Sequence, residues 1–163
     1  MATLQSRKTS PAGRFDSPEQ EVFLSLWRTY DRLRALEEEL FGRYELTPQQ
    51  YNALRLLAGE HPAQLRTLDL AQRLVSRAPD ITRLLDKLEQ RGLIQRDRPA
   101  ENRRVVYVRI SDAGMSLLRE LRDPLRECHA RQLGHLSRKQ LKELSALLRL
   151  ARGPHEEQTG NWR

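Results

Sequence analysis

The sequence predicts a mainly α-helical fold with one small β-hairpin, in the order α-α-α-α-β-β-α-α. Apolar residues recur at helical spacing along most of the chain, and Ser or Thr followed by Pro and Gln marks the start of helices. One stretch, IQRDRPAENRRVVYV at 94–108, instead alternates apolar and polar residues at both ends around a Pro-Ala-Glu-Asn tip. That alternation is typical of a β-hairpin.

The first two helices share a start signal. SPEQ at 17–20 and TPQQ at 47–50 each supply an N-cap hydroxyl, a proline at the first helical position and a glutamine at N3. Gly59 and Pro62 end the second helix. The apolar positions that follow at helical spacing are Val22, Phe23, Leu26, Trp27, Tyr30, Leu33, Leu40, Phe41 and Tyr44 in the first helix, and Tyr51, Leu54, Leu57 and Ala58 in the second.

Two shorter helices, the hairpin and two further helices come next. Thr67 opens the third helix, and a break at 75–77 separates it from a fourth, which ends at Gly92. After the hairpin, SD at 111–112 caps a fifth helix, in which Pro124 predicts a kink or an interruption. Ser137, with Gln140 at N3, starts the last helix.

Composition narrows the class of protein. The chain has 163 residues and a formal net charge of +7, which favours one domain with an appended element and makes a polyanion a reasonable partner. Only 38% of the residues are hydrophobic, so we expect a modest core that a partner subunit would help to cover. Cys128 is the only cysteine, which excludes an intramolecular disulfide and fits a reducing cytoplasm. No signal-peptide core and no membrane span is predicted.

Catalytic and metal-binding patterns are absent from the sequence. There is no nucleophile–base signature and no phosphate-binding glycine loop, so we predict neither an enzyme nor a cofactor. Cys128, His129 and His135 match no metal-ligand spacing. Cys128 is expected to be a structural cysteine and not a sensor of oxidants, because nothing nearby in sequence ensures a lowered thiol pKa.

Two short helices, a tight turn and a basic hairpin together predict a winged helix-turn-helix. The inner face of the fourth helix consists of Ile81, Leu84, Leu85 and Leu88. Its other face would then lie in the major groove of double-stranded DNA, where Arg83 is the candidate for a contact with a guanine edge. The predicted DNA-contacting residues are Arg77, Pro79, Thr82, Arg83 and Lys87 at this helix, and Arg96, Arg98, Asn102, Arg103 and Arg104 in the hairpin.

Positive charge is concentrated in the hairpin. Residues 91–109 hold six arginines against Asp97 and Glu101, a net charge of +4, whereas residues 77–90 hold three cations and three acids. We therefore expect nonspecific affinity from the hairpin, through phosphates or a narrow minor groove, and sequence reading from the helix. Asp86 is expected to pair with a nearby arginine or to lie beyond reach of the DNA backbone. The alternative is that these arginines only solvate an exposed hairpin.

Taken together, these motifs resemble the MarR family of bacterial transcriptional regulators. The resemblance rests on LTPQQYNALRLL at 46–57, ITRLLDKLEQRGLI at 81–94, Arg96, NRRVVYVRIS at 102–111 and the SDAG segment at 111–114, and it covers residues 20–150. It implies a homodimer in which the first and the last two helices of each subunit interlock. It also implies a pseudo-palindromic operator and repression that is relieved by a small aromatic or anionic effector.

On this basis the chain divides into five parts. They are a flexible N-terminal arm at 1–16, a dimerisation helix at 17–46, the winged helix-turn-helix at 47–111, dimerisation helices at 112–152 and a disordered tail at 153–163. One position departs from the family pattern. The family usually has an aspartate at the wing tip, two residues before a key arginine, and this chain has Asn102. The acid that would orient Arg104 is therefore absent; Asn102 can still accept one hydrogen bond, and Glu101 is the candidate substitute.

The aromatic residues of the first helix leave alternatives open. Trp27 and Tyr30, with Arg28 for an anion, are candidates for an effector pocket. Aromatic residues at helical spacing usually pack, so a dimer core is the favoured interpretation. Two other functions are alternatives to a ligand-responsive repressor: an architectural DNA-binding protein without a ligand, and a protein-interaction adaptor on a winged-helix scaffold.

Overall fold

The computed structural model describes residues 15–75, 80–100, 102 and 104–156. Over these residues it contains six α-helices, three short β-strands and one 3-10 turn. In chain order they are α1 (Pro18–Gly42), α2 (Pro48–Glu60), β1 (Leu65–Arg66), α3 (Thr67–Arg73), α4 (Ile81–Gln90), β2 (Ile94–Asp97), β3 (Tyr107–Ile110), α5 (Asp112–Leu133), α6 (Arg138–Arg152) and the 3-10 turn Gly153–His155.

This architecture confirms the predicted mainly α fold with a β-hairpin, and it adds one strand. The sheet is antiparallel with the order β1-β3-β2, and Leu65 of β1 pairs with Val108 of β3. The Thr67 backbone N–H also donates to the Val106 carbonyl at 2.9 Å. A two-residue strand shows no alternation along the sequence, so only its pairing with β3 reveals it.

The predicted start signals are present as hydrogen bonds. Thr47 and Gln50 form a complete capping box, and Ser137 and Gln140 form a second one. At α1 the Gln20 backbone N–H donates to Ser17 Oγ at 3.2 Å, while the Gln20 side chain bonds to Asp16 instead of the Ser17 backbone.

The structure bears on two expectations about the C-terminal part of the chain. Of the kink or interruption predicted at Pro124, the interruption is absent, because α5 runs from Asp112 to Leu133 with Pro124 inside it. Gly153–His155 form a 3-10 turn where a disordered tail was predicted. Residues 1–14 of the arm predicted at 1–16 and residues 157–163 of the predicted tail lie outside the described residues.

The chain divides into two compact units, one ending at Ala35 and one beginning at Leu36. The hydrophobic core belongs to the second unit and includes the last part of α1, where Phe41 is buried and its ring stacks on Tyr51 with centroids 4.8 Å apart. The unit boundary lies within α1, and Leu40 and Phe41 of its last part pack into the core of the second unit. The predicted division into a dimerisation helix at 17–46 and a winged helix-turn-helix at 47–111 stays a prediction. The largest fully buried side chains are Phe41, Leu54, Leu57, Leu70, Leu85, Leu88, Ile94, Val108 and Leu121.

Candidate nucleic-acid interface

Helix α4 is held on the core by the apolar face that the sequence predicts. Leu85 and Leu88 are fully buried, and Ile81 and Leu84 are partly buried against the same cluster. Asp80 caps the helix by accepting the Arg83 backbone N–H at 2.9 Å. The opposite face is therefore presented outward, and Thr82, Arg83 and Lys87 on it are exposed.

Arg96 lies beside α4 and joins it to the sheet. Its guanidinium donates to Asp86 Oδ1 at 2.6 Å and, through Nε at 2.9 Å, to Glu89 Oε2, which Nη2 also contacts. The predicted pairing of Asp86 with a nearby arginine is confirmed. Hydrogen bonding to Arg96 lowers the pKa of the Glu89 carboxyl, and hydrogen bonding to Glu89 raises the pKa of Arg96. The structure thus gives Arg96 acidic protein partners, whereas the sequence pattern predicted a DNA contact for it.

The register of the sheet explains why Arg96 points toward α4. Arg96 pairs with Val108 and Ile94 pairs with Ile110, so these four residues share one face of the sheet. Ile94, Val108 and Ile110 are buried on that face. The guanidinium of Arg96 therefore extends along the core-facing side of β2.

Two other arginines of the 91–109 stretch are also engaged with protein groups. Arg91 donates to the Glu45 carbonyl at 2.7 Å and to the Tyr44 carbonyl at 3.0 Å, which ties the end of α4 to the loop after α1. Arg109 donates to Gln95 Oε1 at 2.9 Å. No local pattern predicts the contacts of Arg91, because its partners are 46 and 47 residues away along the chain.

Asn102 makes three hydrogen bonds at the tip of the hairpin. Its backbone N–H donates to the Pro99 carbonyl, its carbonyl accepts the Val105 N–H, and its Oδ1 accepts the Arg104 backbone N–H at 3.2 Å. Asn102 thus makes the single acceptor bond expected of it, to the backbone of Arg104. Arg98 and Arg104, which precede and follow Asn102 along the chain, are exposed. Arg77, Pro79, Glu101 and Arg103 lie outside the described residues.

The candidate effector residues lie on α1 and do not share one face. Trp27 and Tyr30 are 63% and 62% exposed, and the Trp27 ring lies 6.2 Å from that of Phe23. Arg28 follows Trp27 directly and lies about 160° around the helix from Tyr30, because each residue turns an α-helix by about 100°. Arg28 and Tyr30 therefore lie on different faces of this helix, and the effector pocket stays a prediction.

Cys128 is buried on α5. Burial, and secondarily the charge of Glu37, raise the pKa of its thiol, so the reactive thiolate is disfavoured. Within the described ranges, no three His, Cys, Asp or Glu side chains come together as a metal site. None of the helices described here is both long and apolar enough to cross a membrane.

A helix-turn-helix whose second helix presents polar side chains next to an arginine-bearing hairpin defines a winged-helix DNA-binding protein. The model of the MarR family matches residues 46–106. A solved MarR transcription factor from Planctomyces limnophilus is 56% identical, with 84% of this chain and 99% of that chain covered and a TM-score of 0.67. The chain belongs to the MarR family of transcriptional regulators.

Two curated Escherichia coli repressors are more distant relatives. The homoprotocatechuate degradative operon repressor is 28% identical over 106 residues, which cover 65% of this chain and 70% of the relative. The transcriptional repressor MprA is 26% identical over 149 residues, which cover 89% of this chain and 85% of the relative.

Proposed function

We propose that this protein is a non-enzymatic, cytoplasmic repressor that binds a pseudo-palindromic operator as a homodimer and releases it when a small effector binds. The observation that carries the proposal is the outward face of α4, where Thr82, Arg83 and Lys87 are exposed while the opposite face is buried. The exposed Arg98 and Arg104 at the hairpin tip supply the phosphate or minor-groove contacts. The repressor names of the two E. coli relatives support the direction of regulation.

The test compares one arginine of α4 with one arginine of the hairpin. The probes are a duplex that the wild-type protein selects from a random pool and a scrambled duplex of the same composition. Arg83→Ala should weaken binding to the selected duplex by about 1–3 kcal/mol and relax preference at one base position. Arg104→Ala should weaken binding to both duplexes alike and reduce the salt slope by about one. An unchanged ratio of affinities in Arg83→Ala would show that Arg83 reads no base.

The homodimer is supported by apolar surface that the single chain leaves open. On α1 the exposed apolar and aromatic residues are Val22, Phe23, Leu24, Leu26, Trp27 and Tyr30, and on α6 they are Leu144, Leu147 and Leu150. Contiguous apolar stripes of this kind mark interfaces in soluble proteins. Trp27→Glu should therefore shift the molar mass in multi-angle light scattering from two chains toward one. Arg32→Glu, at an exposed position about 140° around α1 from Trp27, is the matched control and should remain dimeric.

Effector binding is tested by thermal shift with a panel of aromatic acids. Homoprotocatechuate belongs in the panel, because one relative is named for the operon that degrades it. A ligand at 100 times its Kd should add about 2.7 kcal/mol to the free energy of unfolding. The same compound should release the selected duplex. A panel that stabilises nothing, together with DNA binding that no compound changes, would favour the ligand-independent architectural alternative.

A further inference from the structure

Helix α4 carries two acids close to the surface that would meet DNA. The side chains of Asp86 and Glu89 are 43% and 38% exposed, respectively, on the same helix as Arg83. Negative charge there repels phosphates, so acids at these positions require a reason other than solubility. Both carboxylates converge on Arg96.

The three side chains join two elements that the chain itself connects only through a short turn. Arg91–Leu93 separate α4 from β2, and Gly92 in this turn has a φ of 69°. Leu93 and Ile94 are buried and hold the base of the hairpin. Further along β2, Arg96 makes the next contact with α4, two residues before the exposed Arg98. Its side chain is 18% exposed and its planar fork bonds both acids at once.

We propose that Arg96 is a positioning residue that fixes the hairpin to α4 through Asp86 and Glu89; this three-residue contact is called the lock below. The lock sets the position of α4 on the bases relative to the phosphates that the hairpin contacts. Arg96 then contributes to sequence preference without touching DNA. An arginine is suited to this role, because lysine would present one point charge where the guanidinium presents several fixed donors. The inference rests on the proposed DNA interface.

A purely electrostatic role for Asp86 and Glu89 and a role in the lock predict different effects on DNA binding when the two acids are neutralised. Arg96 with Asp86 and Glu89 carries a net charge of −1, one cation against two acids. If the acids acted only through charge, neutralising them would strengthen binding to every duplex. If they lock the hairpin, neutralising them loosens it, and preference for the selected duplex falls.

The experiment uses the full chain with the same selected and scrambled duplexes. The double variant Asp86→Asn/Glu89→Gln keeps the side-chain shapes, and Arg96→Gln removes the lock from the other side. Each should lower the ratio of affinities for the two duplexes by about fivefold, the equivalent of about 1 kcal/mol. Arg96→Lys should restore only part of the ratio. Arg109→Gln is the control, because it removes a cation of the same sheet outside the lock and should leave the ratio of the two affinities unchanged.

Three results would overturn the inference. Tighter binding to both duplexes at an unchanged ratio in the double variant would show that the acids act through charge alone. A wild-type ratio of affinities in Arg96→Lys would show that a positive charge at this position is sufficient without the fixed donors of the guanidinium. A fall in Tm and in both affinities in parallel, again at an unchanged ratio, would show that Arg96 only stabilises the fold. If the wild-type protein itself shows no preference for a selected duplex, the proposed function fails together with the inference.

Discussion

Gly114 is the position where one added methyl group should disturb the junction between the sheet and α5. A Cβ built there would lie 2.3 Å from the Leu93 carbonyl oxygen and 2.7 Å from Ile110 Cγ1. The same Leu93 oxygen accepts the Ser111 backbone N–H at 3.1 Å. Ser111 Oγ in turn accepts the Gly114 N–H and donates to the Gly92 carbonyl at 2.6 Å. Gly114→Ala therefore has to displace backbone atoms that take part in several hydrogen bonds.

The expected cost follows from opposing contributions. Alanine is favoured over glycine inside a helix by about 1 kcal/mol. Overpacking against rigid neighbours costs about 1–3 kcal/mol, and weakening the Ser111 hydrogen bond costs about 1 kcal/mol more. Gly114→Ala should thus destabilise the fold by about 1–3 kcal/mol. At this chain length each kcal/mol lowers Tm by about 2–4 °C.

Gly59→Ala is the matched control. Gly59 also lies inside a helix, α2, but nothing lies within 4 Å of a Cβ built there. Helix propensity alone then acts, and Tm should rise by a few degrees at most. Thermal unfolding followed by circular dichroism at one protein concentration measures both variants. If Gly114→Ala raised Tm as Gly59→Ala does, the close approach to Leu93 would not constrain this position.

Three further predictions concern single side chains. Cys128 should react with iodoacetamide much more slowly in the folded protein than in denaturant, because it is buried and its thiol pKa is raised; equal rates would contradict this. Because the pKa of Glu89 is lowered in the folded protein, its ionised carboxyl stabilises the fold at pH values above the ordinary glutamate pKa. This contribution is lost as the pH falls through the lowered pKa. Glu89→Gln should therefore flatten the acid side of the stability profile, and an unchanged profile would show that the pair with Arg96 does not contribute. Thr47→Ala should cost about 1 kcal/mol by removing the capping bond to Gln50, whereas an unchanged Tm would show that this cap is dispensable.

Local signals predicted much of the fold and part of the candidate interface. The capping boxes at Thr47 and Ser137 involve residues three apart, and the buried face of α4 follows from helical periodicity alone. The exposure of Arg83 and of Arg104 also agrees with those signals. The prediction failed where a residue meets a partner distant in sequence, as Leu65 meets Val108 in the added strand.

The sequence by itself determined the order of the helices and the hairpin, the outward face of α4 and the concentration of arginines in the hairpin, because each depends on neighbouring residues or on composition. Only the tertiary structure decided how those arginines are used. Sheet register turns Arg96 toward the acids of α4, and Arg91 reaches carbonyls in the loop after α1. Arg98 and Arg104 are left exposed at the tip. The sequence shows that an arginine carries a positive charge, but the packing around the side chain decides which group it contacts.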